Sequence, residues 1–168
     1  MAGDRSADYL EFATTRTRHL YRTACLLTGG DTHLAEDLVQ ETLGRMYAVW
    51  RKPSRVDNPA AYAQTVLVRA FLSHQRRRSS GERPTGTLPD IAGSEGDTAL
   101  RIALLEALRG LSARDRAVLI LRYWEDRSIE QTAEVMRLSS TTVRKRSVRA
   151  LSRLRTQLGG SLSEFAGR

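Results

Sequence analysis

A single cysteine, Cys25, excludes an intramolecular disulfide anywhere in the 168 residues. It lies in the apolar run Ala24-Cys25-Leu26-Leu27, where a buried structural thiol is expected rather than a reactive one. Histidine is nearly as scarce. His19, His33 and His74 are scattered, and neither a cysteine nor a second histidine stands at metal-ligand spacing. No serine sits in a nucleophile elbow, and no Gly-rich loop follows a strand to cradle a nucleotide. The expectation is therefore a protein without metal or cofactor that is not an enzyme. No stretch approaches the ~20 apolar residues of a membrane span. The opening MAGDRSADYLEF has no apolar core and starts acidic, unlike a signal peptide. No membrane partner is expected, and the location implied is cytoplasmic. Alternation of apolar and polar residues is never sustained, and Gly and Pro are sparse inside the periodic segments, so no sheet is expected.

What is present is positive charge and helical periodicity. The formal net charge is +8 and the pI about 10.5, which favours a polyanionic partner, nucleic acid or an acidic protein surface. The spacing predicts an all-α chain. A first helix over residues 7–27 is stopped by Gly29-Gly30. A second, over 33–50, is capped by Asp31 or Thr32 and presents Leu34, Leu38, Leu43, Met46, Tyr47 and Trp50. After the polar loop 51–57, Asn58-Pro59 opens a third helix that runs to about Arg78. Residues 79–96 are rich in Gly, Ser, Pro and acids and read as a flexible linker. This divides the chain into two small helical domains, 1–78 and 97–168. In the second, Asp97 caps a helix to Arg109, and Ser112 with Asp115 starts one that ends near Tyr123-Trp124. Ser128 with Gln131 forms a capping box for a helix to Met136. Arg137-Leu138-Ser139 turns the chain into a last helix over 141–158, stopped by Gly159-Gly160. Val143, Ala150, Leu151, Leu154 and Leu158 mark its core side.

Three constellations carry chemistry. The last helix bears Arg144, Lys145, Arg146, Arg149, Arg153 and Arg155, with no acid between Glu134 and Glu164. A cationic helix behind a short helix and a tight turn is a helix-turn-helix suited to a DNA groove. Ser140, Thr141, Arg144 and Lys145 would enter the major groove first, and arginine can bond a guanine edge bidentately. The second constellation is a polar ridge of Glu36, Asp37, Gln40 and Glu41, which spacing alone reads as a plain exposed face. The third spans 51–78, where Asn58, Tyr62, Arg69, His74 and the cluster Arg76-Arg77-Arg78 combine aromatic and cationic side chains, as single-strand binders do. Periodicity leaves Tyr62 open between core and surface.

Residues 111–158 resemble sigma-70 region 4, and AEDLVQETL, residues 35–43, resembles sigma-70 region 2. The order and separation of the two motifs resemble an extracytoplasmic-function (ECF) sigma factor of the actinobacterial type. The resemblance implies that residues 1–78 form region 2 and 97–168 form region 4. It implies binding of Glu36, Asp37, Gln40 and Glu41 to the beta-prime clamp helices of RNA polymerase core, and a further contact with the beta flap. It assigns Arg51, Asn58, Tyr62, Arg69, Arg76 and Arg77 to melting and reading the −10 element, with a base flipped into a pocket. It assigns Ser140, Thr141, Arg144, Lys145, Arg146 and Arg149 to the −35 element. The linker would thread near the active-site cleft of the polymerase, and an anti-sigma factor is a plausible regulatory partner. The chain departs from the family pattern at Gln131, Thr132 and Thr141, at Arg69 where Asn is common, and at Arg137. At Arg137 Gly is usual because the turn needs a left-handed backbone. The basic helix alone is equally compatible with a stand-alone helix-turn-helix regulator.

Overall fold

A computed structural model describes residues 2–52, 56–79 and 95–166. Seven α-helices and one π turn account for nearly all of them, and the described residues contain no strand. The expected linker lies almost wholly outside the described residues, as do loop residues 53–55.

The first half is a three-helix unit. Helix α1 (Ala2–Leu27) begins five residues earlier than the periodicity suggested and takes Gly3 into its first turn. It ends on Gly29 and Gly30, both at positive φ. Gly30 N–H donates to Cys25 O (2.8 Å) and Gly29 N–H to Leu26 O (3.3 Å). This paired closure is a Schellman turn, which needs the left-handed residue that Gly supplies without strain. Helix α2 (Thr32–Trp50) starts at Asp31, whose carboxylate accepts from Leu34 N–H. Its buried face is Leu34, Ala35, Leu38, Val39, Thr42 and Met46. Of the six residues expected on that face, Leu43 and Trp50 are only half-buried, and Tyr47 is 41% exposed. Tyr47, Trp50, Tyr9 and Phe12 instead form an aromatic cluster at the far end of α1 and α2, with ring centroids 4.9–6.0 Å apart. Helix α3 (Pro59–Arg78) is capped by Asn58, whose side-chain oxygen accepts from Ala61 N–H. Phe71 and Leu67 are fully buried at its centre.

The second half wraps three helices around α7. Helix α4 (Glu95–Arg109) begins two residues before Asp97, so Asp97 lies within the helix instead of capping it. Helix α5 (Ala113–Leu119) is capped by Ser112, which accepts from Asp115 N–H. Asp115 does not complete a capping box; its carboxylate turns to Arg146. A π turn (Ile120–Trp124) follows, closed by Glu125 N–H to Ile120 O at 2.9 Å. Helix α6 (Ile129–Met136) carries the full Ser128–Gln131 box. It ends on Arg137, at φ 55° and ψ 45°. Leu138 N–H donates to Ala133 O (3.0 Å) and Arg137 N–H to Glu134 O (3.3 Å). The turn therefore closes as it would with Gly. Helix α7 (Ser140–Ala166) runs past Gly159 and Gly160, correcting the expected stop. Two glycines inside a helix cost only about 1 kcal/mol each relative to Ala, which propagation absorbs. Val143 and Ala150 are fully buried on its inner side and Ser147 nearly so.

The two halves share one apolar core. Leu20, Ala24 and Leu27 of α1 and Leu67, Val68 and Phe71 of α3 join Val118 and Leu121 of the second half in a single cluster. Arg116 fastens the seam. Arg116 is 9% exposed, and its guanidinium donates to Leu27 O (2.6 Å), Leu108 O (2.8 Å) and Leu111 O (3.0 Å). It also lies over the Phe71 ring. Burial, with Arg109 adding repulsion, pushes its pKa down to about 10, so it stays charged at neutral pH. Nearby, Arg109 donates to Gly29 O at 2.7 Å. Burial likewise pushes the Cys25 thiol up, in keeping with a structural cysteine.

Candidate functional site

The side chains singled out in the sequence fall into three groups, two of which form surfaces. On α2, Glu36, Asp37 and Gln40 are exposed and Glu41 half-buried, on the face opposite the buried stripe. Their i, i+1, i+4 and i+5 spacing makes one continuous ridge. Glu41 is held by Arg45 one turn on, at 2.8 Å. The ridge faces solvent and adds nothing to the core, as a partner-binding surface would.

On α7, Thr141, Arg144, Lys145 and Arg149 are exposed, and Ser140 is half-buried at the first residue. Ser139 caps the helix by accepting from Thr142 N–H. Arg146 is set apart. Its Nη1 donates to Asp115 Oδ1 at 2.7 Å, with both side chains largely covered. Arg146 thus ties the basic helix to α5, and Arg149 stands 4.0 Å from the same carboxylate while staying exposed. Val148, absent from the sequence reading, is 69% exposed at the centre of the cationic patch. It sits on the outer line of α7 with Thr141, Lys145 and Ser152. Its signal was an apolar residue out of phase with the core period.

The third group does not form one surface. Arg51 closes α2 and lies over the Tyr47 ring at 5.9 Å. Asn58 is engaged as the α3 cap, and Tyr62 is 39% exposed, so it is a surface residue. Arg69 points into the second half, where Nε donates to Val135 O (3.2 Å) and Nη2 to Glu134 O (3.3 Å). It caps the carbonyl end of α6. Arg76 bonds Ser73 Oγ and is exposed, and Arg77 is exposed near the end of α3. Burial and the neighbouring Arg78 and Arg77 hold His74 below its ordinary value.

The second half covers α3 elsewhere too. Asp126 adopts a left-handed turn (φ 53°), a conformation short polar side chains tolerate. Arg127 beyond it donates to Ala61 O (2.8 Å) and Gln64 Oε1 (2.9 Å). At the opposite edge the Glu125 carboxylate, 3% exposed, accepts from the Thr23 hydroxyl (2.6 Å) and lies 2.8 Å from His19 Nε2. Trp124 stacks on the His19 ring and donates to Thr23. None of these cross-chain partners was foreseen. Among the described residues no group of His, Cys, Asp and Glu is arranged to hold a metal, and no helix is long and apolar enough to cross a membrane.

Comparison with known proteins assigns both halves. Residues 12–81 match the family model for sigma-70 region 2, and residues 101–154 the one for sigma-70 region 4. An RNA polymerase sigma-E factor of Streptomyces antibioticus is 34% identical over 160 residues, covering 94% of this chain and 88% of that protein. The chain belongs to the sigma-70 family of RNA polymerase sigma factors. The ECF RNA polymerase sigma factor SigL of Mycobacterium tuberculosis is 35% identical over 153 residues, covering 83% and 84% of the two chains. Among solved structures, the sigma factor RpoE from Bartonella quintana, in complex with the anti-sigma factor NepR, superposes with a TM-score of 0.75. It is 27% identical, and the match covers 90% of this chain and 97% of that one. As an ECF sigma factor the protein directs core RNA polymerase to promoters for the initiation of transcription. The stand-alone regulator is disfavoured, because it accounts for the basic helix and leaves the region 2 half without a role.

Proposed function

We propose that the two outward surfaces divide the work of promoter recognition, and that the observation carrying this is their placement on separate halves. The α2 ridge of Glu36, Asp37, Gln40 and Glu41 binds the beta-prime clamp helices of core polymerase, while region 4 also meets the beta flap. The exposed α7 residues Ser140, Thr141, Arg144, Lys145 and Arg149 read the −35 element in the major groove. Arg146 contributes by fixing the pose of α7 through Asp115. Arg51, Asn58, Tyr62, Arg69, Arg76 and Arg77 serve the −10 element. Arg69 and the backbone at Ala61 are covered by the second half, so reading the −10 element requires the halves, domains 1–78 and 97–168, to separate at the linker. The protein itself is non-catalytic, acting from the cytoplasm on a polymerase that makes the RNA. An anti-sigma factor, the class of partner bound to RpoE in the similar structure, would act by holding the halves closed.

Run-off transcription with core polymerase tests this reading. The expected result is a promoter-dependent product. Arg144→Ala should weaken −35 duplex binding roughly tenfold, the size of one bidentate base contact, and leave core binding intact. Asp37→Arg should do the reverse. Tight duplex binding without polymerase and without a run-off product would instead mark a repressor.

A further inference from the structure

A cleft of about 500 Å³ opens between α3 and the ends of α5 and α6, and five arginines line it: Arg45, Arg69, Arg76, Arg114 and Arg137. Among the described residues no carboxylate lines it. Two of the five stand where helix chemistry argues against them. Arg114 is the second residue of α5, where a cation opposes the helix dipole. Arg137 holds a left-handed backbone that Gly would hold without strain. Locally unfavourable residues that converge on one place mark a functional site more often than a structural accident. Arg45 is already paired with Glu41 (2.8 Å), but the other four like charges repel unless an anion lies among them.

We propose that this cleft binds a small polyphosphate anion, which bridges the two halves. Guanidinium groups match phosphate oxygens bidentately and stay charged at every working pH. Arg69 spends Nε and Nη2 on carbonyls and keeps Nη1 for a ligand. The volume suits a small molecule, and duplex DNA is too wide to enter it. An extended acidic peptide carries at most one charge per ~3.3 Å of chain, too dilute for the four cations left without the Glu41 pairing in this space. Leu72 and Leu138 add an apolar floor that a nucleobase could use. With α3 on one wall and α5 and α6 on the other, a bound anion favours the closed arrangement. The consequence for promoter binding rests on the proposed function, whereas the binding itself does not.

Calorimetric titration of the full-length protein tests the site without polymerase or DNA, so its failure leaves the sigma reading untouched. The probes are inorganic tripolyphosphate, GTP and a hexaglutamate peptide, with sulfate at matched ionic strength. Tripolyphosphate should bind one to one and raise Tm. Arg114→Gln and Arg137→Gly should each weaken binding about tenfold, as loss of a charge-assisted contact does. Arg137→Gly should at the same time raise the ligand-free Tm, a sign that damage to the fold would not give. Tighter binding of GTP than tripolyphosphate identifies a nucleotide ligand, and the opposite order identifies phosphate alone. The proposal is overturned by an equal Tm rise in sulfate, by tighter binding of hexaglutamate, by unaltered binding in both arginine variants, or by equal loss in an Arg144→Gln, Lys145→Gln variant.

Discussion

The first half ends α1 on Gly29 and Gly30; the second ends α6 on Arg137 and Leu138. The two turns close with the same pair of backbone hydrogen bonds, at nearly the same lengths. The backbone geometry is shared and the chemistry is not. Gly29 has no side chain because Arg109 occupies the space, and an added Cβ would meet Arg109 Cγ at 2.4 Å. Arg137 accepts the strained conformation and lines the cleft between the halves. A helix terminus can thus be built for fit or for reach, and the second half repeatedly takes the second course. Arg116 and Arg127 also reach from it to carbonyls of the first half.

The largest expected effect comes from removing the arginine on which both halves depend. Arg116→Ala takes one donor from each of three carbonyls and leaves a void beside Phe71. Roughly 3 kcal/mol of stability should be lost, read as a lower midpoint in urea unfolding. An unchanged midpoint would mean that the seam contributes nothing to the folded state. The paired turns come next, with opposite signs. Gly29→Ala should cost about 1–2 kcal/mol, and Arg137→Gly should add about 1 kcal/mol. Equal signs in thermal unfolding would show that the turns are not energetically equivalent frames. The smallest effect is the pH dependence from His74. Above its ordinary value of 6.5 the imidazole is neutral in both folded and unfolded chains and gives no contribution. As pH falls through 6.5 the unfolded chain takes up a proton that the folded one binds less well, so stability declines toward the lowered folded value. His74→Gln should flatten this part of the Tm profile between pH 7 and 5.

Much of this was legible in the sequence, and the reasons for the rest are specific. Helices and caps follow from local signals, so Asn58, Ser128 and the Gly29-Gly30 stop read correctly. The α2 ridge and the exposed α7 cations follow from periodicity. What the sequence does not show depends on partners distant in the chain. Arg146 looks like any cation of the basic helix until Asp115, 31 residues away, is placed beside it. Arg69 resembles a nucleic-acid ligand until the end of α6 covers it, 65 and 66 residues on. The five cleft arginines come from four helices and show no pattern in one dimension. Thr132, noted as a departure from the family, proves to be wholly buried with its hydroxyl unsatisfied. The substitution brings no new contact, and nothing in the structure explains it.

The π turn at Ile120–Trp124 gives the seam a numerical sensitivity. An α-helix rotates about 100° per residue, and a π turn holds one residue more than the same turn of α-helix. That single extra residue sets where Trp124 and Glu125 emerge, against His19 and Thr23 of α1. Deleting one residue there would leave the helix, the cap at Ser128 and the basic face of α7 in place. It would also turn the Glu125 carboxylate about a quarter of the way around the axis, away from its donors. The register between the region 2 half and the region 4 half is therefore counted in one amino acid.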